Sequence, residues 1–289
     1  VEVRDLTINL LGGAKLDGNL RLTTTEKLDD AGNPLFHTLL KTLTINSTGT
    51  AENALTGQTA NIIDGNIAPT TAQGGGGAGY TAVENNLLDV TINATQDLVV
   101  TGSVQFNSKV NEDLLIPNDE AAVAKLTVTG TANVTIGNLS TTDDDVDSLV
   151  VTNNGTGVLT VGIDGSATGF DAADALSFVG TGDIVLRITG AVDLTNDNLA
   201  AVSAIQLVGT ATVTLTTDQV EALGAANITK SGTTGAATLE VIGLDSADTF
   251  DSTLVGNGVV INVTTAAGDV VLDAATNLTD ISHLHVDTD

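Results

Sequence analysis

A strand–turn–strand unit recurs through the second half of this chain, and it constrains the fold more than any other feature. Leu126-Thr-Val-Thr-Gly-Thr-Ala-Asn-Val-Thr-Ile136, Leu149 to Val161, Leu176-Ser-Phe-Val-Gly-Thr-Gly-Asp-Ile-Val-Leu186 and Ile205-Gln-Leu-Val-Gly-Thr-Ala-Thr-Val-Thr-Leu215 share one pattern. Each is a short run alternating between apolar and polar residues, then a Gly-Thr or similar corner, then a second run. Period-two alternation is the signature of a strand with one buried face. The copies start 23, 27 and 29 residues apart, the period range of stacked repeats. Leu278-Thr-Asp-Ile-Ser-His-Leu-His-Val286 reads as the opening of another copy, and the sequence stops at Asp289 without its second run. The expectation is an all-β, elongated β-solenoid or stack of β-sheet repeats. An incomplete last repeat leaves a strand edge to be capped or paired with another chain.

Composition agrees with thin β layers. Hydrophobic residues make up 42% of the 289, so the acidic chain has the means to build a core, while aromatics make up only 2%. Val, Ile, Leu, Ala and Thr must therefore fill the interior, and an aromatic-lined substrate pocket is not expected. With no Cys and no Met, disulfides, thiolate nucleophiles and cysteine-held zinc are excluded. Val1 stands where an initiator would, so the chain reads as processed or trimmed, and no apolar run reaches membrane-spanning length.

The formal net charge is −27. Five of the nine bases (Arg4, Lys15, Arg21, Lys27, Lys41) lie in the first 41 residues beside six acids, so almost all the negative charge falls on the rest. Nucleic-acid binding needs a basic footprint and is excluded as an expectation. Cation binding and repulsion between ion-free copies are expected instead.

Two regions are expected: an irregular β-rich region over 1–120, and the repeat region over 121–289. All three prolines (Pro34, Pro69, Pro117) fall in the first, as a stack of central strands in the second requires. In the first region Val3–Leu10, Leu16–Leu22, Leu39–Asn46, Val90–Asn93 and Leu98–Phe106 read as strands. The glycine-rich loop over 68–79 lacks the helix start and Lys-Ser/Thr pair of a phosphate cradle. Only two short helical segments are expected. Thr216-Thr-Asp-Gln-Val-Glu-Ala-Leu-Gly224 has an N-cap and a glycine stop, and Thr195-Asn-Asp-Asn-Leu-Ala-Ala-Val202 looks similar.

Three acidic clusters are the candidate metal ligands. They are Asp143, Asp144, Asp145 and Asp147; Asp164, Asp171 and Asp174; and Asp245, Asp248 and Asp251. The second opens with the oxygen spacing of an EF-hand loop but has Ala175 at the twelfth position instead of Glu. Hard oxygen donors without His or Cys suit calcium. The same residues also fill turns by bonding their own backbone, and both readings stand at this point. His283 and His285 share one strand face without an evident third ligand. No Gly-x-Ser-x-Gly, His-Glu-x-x-His or carboxylate pair with aromatic subsites occurs, so no enzyme is expected.

Val213-Thr-Leu-Thr-Thr-Asp-Gln-Val-Glu-Ala-Leu223, following Ile205 to Thr212, resembles repeats of large secreted bacterial surface proteins of the S-layer, biofilm-matrix and adhesin type. The likeness covers about 121–289. It implies a secreted, cell-surface structural protein with a β-solenoid body, calcium, and copies of itself as partners. It assigns no calcium ligands, because Gly180-Thr-Gly-Asp183 departs from the calcium nonapeptide of that group. The expected function is self-assembly into a surface layer, filament or matrix fibre, with no membrane insertion. A ligand- or carbohydrate-binding adhesin module and a β-solenoid polysaccharide-active enzyme are the alternatives.

Overall fold

Alternation in sequence becomes alternation in burial. Along Thr42–Thr48 the residues Leu43, Ile45 and Ser47 are buried and the Thr and Asn between them half-exposed; Asp89–Ala94 repeats the pattern. The computed structural model describes residues 5–22, 24–27, 40–49, 57–68, 80–83, 87–107, 122–141, 146–165, 175–267 and 276–287. Of these, 60% are in strands and 6% in helices, so the all-β expectation holds at that level.

The strands form three parallel sheets and one antiparallel pair. The first sheet contains Asp5–Leu11, Thr42–Thr48, Asp89–Ala94, Ala122–Gly130, Val146–Asn153 and Ala175–Gly180, in that order. Lys15–Asp17, Asn61–Asp64, Leu98–Phe106, Val134–Thr141, Leu159–Asp164, Ile184–Thr189, Val202–Val208 and Ile228–Ser231 run in order through the second. Leu20–Arg21 and Ile67–Ala68 lie beside that path. Ala191–Asp193, Thr212–Thr216, Ala237–Leu244, Val259–Thr265 and His283–His285 make the third. Thr24–Lys27 pairs antiparallel with Tyr80–Val83.

The expectation of a β-solenoid is corrected here. The ladders divide among sheets of six, ten and five strands, none of which spans the chain, and no closed coil is formed among the described residues. The reason is visible at one turn. Ala175–Gly180 ends the first sheet, Gly190 turns with φ 70°, and Ala191–Asp193 opens the third sheet. The segment after it contributes only an isolated bridge, Asn198 to Ser177, to the first sheet's edge. The next strand, Val202–Val208, therefore joins the second sheet beside Ile184–Thr189. In sequence it aligns with Ala175–Gly180, a first-sheet strand, so the sequence copies do not stack like on like. The strands on either side of residue 121 share ladders: Asp89–Ala94 pairs with Ala122–Gly130, and Leu98–Phe106 with Val134–Thr141.

One apolar core runs between the sheets, built from aliphatic rows such as Leu43, Val90, Leu126 and Val151 with Phe178 at their end. Each fully buried Leu or Ile contributes about 1.5–3 kcal/mol from removal of apolar surface from water. Two asparagines that turn inward at the corners are bonded there. Asn153, with no exposed surface, donates to the carbonyls of Gly157 (3.0 Å) and Asp183 (2.8 Å) and accepts from the Gly155 amide (3.0 Å). Asn61 does the same at an earlier level, donating to Ser47 Oγ at 2.9 Å and accepting from Ala14 N–H at 2.8 Å. These bonds tie successive corners together and spare each asparagine an unsatisfied group, whose cost would be about 1–3 kcal/mol. The Gly-Thr corners also have a steric reason. Gly180 has φ 120°, and a Cβ there would run into the carbonyl oxygen of Asn153.

The helix expected at Thr216–Gly224 forms as Thr217–Leu223 (α1). Thr216 Oγ1 accepts from Gln219 N–H at 3.2 Å, Gln219 Oε1 accepts from Thr216 N–H at 2.8 Å, and Gly224 closes the helix at φ 83°. The second helix, expected over Thr195–Val202, does not form. Asp193 Oδ1 accepts from the amide and hydroxyl of Thr195, and Asn198 is drawn into its bridge with Ser177, leaving only turns.

Candidate functional site

The acidic clusters meet different fates. Asp143, Asp144, Asp145, Asp171 and Asp174 lie outside the described residues. Asp147 falls within the strand Val146–Asn153, and Asp164 ends the strand Leu159–Asp164 opposite Thr189. Asp245, Asp248 and Asp251 follow the third-sheet strand Ala237–Leu244, and each is engaged with backbone. Asp245 Oδ1 accepts from Ala247 N–H at 2.7 Å, and Asp248 Oδ2 from Asp245 N–H at 2.6 Å. Asp251 Oδ1 caps the short 3₁₀ turn Ser252–Leu254, accepting from Thr253 N–H (3.0 Å) and Oγ1 (2.7 Å). Asp248 is buried, and burial pushes its carboxyl above the ordinary value; the Asp245 amide opposes this, while the charges of Asp245, Glu221 and Asp218 add to it. Among the described residues no group of three or more His, Cys, Asp or Glu is arranged to hold a metal ion. The turn-forming role is thus the one with visible geometry in the third cluster.

His283 and His285 are both exposed on the strand they form, and His283 Nδ1 lies 3.0 Å from Asn262 Oδ1. Asn262 Nδ2 in turn donates to Glu240 Oε1 at 2.7 Å, so His283 ends a polar row across three strands.

A concavity that sequence reading passes over lies between α1 and the turn after Asp193. Its volume is about 290 Å³, and Asp197, Leu199, Val202, Asp218, Ala222 and Leu223 are among its lining. Gln219 builds it: besides completing the helix cap, its Nε2 donates to the carbonyls of Leu194 (2.7 Å) and Asp197 (3.0 Å). On the helix's other flank Glu221 Oε1 accepts from the amide of Thr249 and, at 3.1 Å, from its hydroxyl. A seven-residue helix that could not persist alone is thereby clamped to two loops. Asp197 Oδ1 accepts from Leu176 N–H at 2.8 Å, yet its carboxyl is pushed up to about 6. Burial is the main cause, and the Asp193 charge adds to it against the Leu176 bond. The one sequence signal for this arrangement was Gln at the third position of a capped helix.

One cation is committed elsewhere, to two carboxylates. Lys15 Nζ sits 2.6 Å from Asp17 and 2.9 Å from Asp64, and those carboxylates hold its pKa above the usual lysine range. Comparison with known protein families, characterised proteins and solved structures gives no match for this chain.

Proposed function

We propose that this chain is an extracellular structural protein that assembles with copies of itself into a surface layer, filament or matrix fibre. The observation that carries this reading is the register of the parallel ladders: residue-for-residue pairing extends through six strands of the first sheet, with one shift between Ala122 and Val123. A body held by such ladders resists deformation through backbone bonds distributed along its whole length, and it needs neither disulfide nor cofactor. The surplus of 27 negative charges adds a condition. Copies packed side by side repel unless cations lie between them, so calcium acts in this reading as a bridge between acidic faces of neighbouring copies.

The test is sedimentation and negative-stain microscopy of the purified full chain, with millimolar calcium and with chelator. Ordered sheets or fibres in calcium that loosen on chelation support the proposal. A monodisperse monomer in both conditions at high concentration contradicts it, and specific retention on a glycan array by that monomer would make it an adhesin module.

A further inference from the structure

The chain carries a net charge of −27, but two central columns of the first sheet's outer face carry no charged residue. Register places Thr7, Thr44, Thr91, Thr127 and Thr152 in one column across five neighbouring strands. Two residues along, Asn9, Asn46, Asn93 and Thr129 form a second column. That second column is pinned by its own bonds: Asn46 Nδ2 donates to Asn9 Oδ1 (2.7 Å), Asn93 Nδ2 to Asn46 Oδ1 (2.8 Å), and Thr129 Oγ1 to Asn93 Oδ1 (2.7 Å). Among the described residues, the charged side chains of this face, Asp5, Asp89 and Lys125, are confined to the column on the other side.

The array has a fixed metric. Neighbouring strands of a sheet lie about 4.8 Å apart, and alternate residues along a strand about 6.7 Å. Threonine is stiff at χ1, so the hydroxyls and methyls repeat at those spacings with little freedom to lose on contact. The hydroxyls of the Thr column make no hydrogen bond to other described residues, and Thr7 is exposed while the other four are half-buried.

We propose that this face orders water and binds ice. Both repeats lie close to oxygen spacings on the prism planes of ice, so hydroxyls and amides can hold a water layer in register with the crystal. Two other occupants fit less well. A second copy of the chain would strip water from both columns, and each hydroxyl or amide that met no donor or acceptor across the contact would cost about 1–3 kcal/mol. A crystalline polysaccharide would want aromatic platforms, and no aromatic residue stands in either column.

The test uses the full chain, fluorescently labelled, with thermal hysteresis and incorporation into a slowly grown ice hemisphere as readouts. The native protein should shape ice crystals and enter the ice. Thr91→Tyr, which puts a bulky ring in mid-column, should abolish most of this, while Thr238→Tyr on the third sheet should not. Thr44→Val keeps shape and removes one hydroxyl; it should weaken hysteresis with an unchanged circular dichroism spectrum, and it serves in place of Thr91→Tyr should that variant misfold. Exclusion of the native protein from ice, equal effects of the two tyrosines, or retention on crystalline cellulose or chitin instead of ice would each overturn the proposal, as would dimerisation lost in Thr91→Tyr without any ice effect.

Discussion

Asp197 carries a charge that the fold disfavours, so replacing it with asparagine should stabilise the protein in a pH-dependent way. Its carboxyl is raised from 3.8 to about 6, chiefly by burial against α1. The folded state therefore holds the proton more tightly than the unfolded chain. This group's stabilising share is complete below about pH 4, shrinks as pH rises to about 6, and is gone above that. A tenfold change in proton affinity corresponds to about 1.4 kcal/mol, giving an upper bound of roughly 3 kcal/mol. The side chain is only half-buried, and solvent screening reduces the figure to on the order of 1 kcal/mol. In Asp197→Asn the amide oxygen still accepts from Leu176 N–H, so the hydrogen bond survives and only the charge is lost. Urea unfolding should show the variant more stable by about 1 kcal/mol at pH 7.5 and no more stable than wild type at pH 4. The difference between the two proteins cancels the general response of an acidic chain to pH. Destabilisation by the same amount at both pH values would refute the reasoning, and so would a gain that does not depend on pH.

Gly180→Ala should cost on the order of 3 kcal/mol in the same assay, because its positive φ and the facing Asn153 carbonyl both exclude a side chain; a loss below about 0.5 kcal/mol would show that the corner relaxes freely. Gln219→Ala removes half a capping box and two clamping bonds, and should lower stability by about 1–2 kcal/mol with faster amide exchange confined to α1 and the turn after Asp193. Asn153→Ala leaves the Gly157 carbonyl and the Gly155 amide unpaired inside the protein, while the Asp183 carbonyl keeps its bond from Leu159 N–H, and should cost about 2–4 kcal/mol, whereas Asn154→Ala, one residue on, should cost little.

Local structure was legible where one segment decides it. The strand read at Leu39–Asn46, which forms as Thr42–Thr48, and the caps of α1 are local matters. Sheet membership was not legible, because it depends on which ladder a strand meets after its turn. Val202–Val208 carries the same pattern as Ala175–Gly180 but arrives beside Ile184–Thr189, since Asn198 takes up the first-sheet edge with a single bridge. Asn61–Asp64 offers two isoleucines between polar residues, too short a run to announce a strand, and it is made one by pairing with Leu98–Phe106. The acidic turns were visible as turns, and their geometry near Asp245 follows from short-range side-chain bonds. The setting of Asp197 was not, because its burial comes from a helix that the sequence places a full turn and strand later.

The central claim is the parallel, in-register first sheet, on which both the proposed assembly and the proposed ice-binding face depend. The chain contains no cysteine, so pairs of nitroxide labels can be placed without background. Thr7 and Val179 are joined through five successive register pairs, as are Asp5 and Ser177. Double electron–electron resonance on Thr7→Cys/Val179→Cys and on Asp5→Cys/Ser177→Cys should give the same backbone separation in both, about 24 Å for five strand steps of about 4.8 Å. Clearly unequal distances, or separations well outside the reach of the label arms from that value, would contradict the register and with it the account.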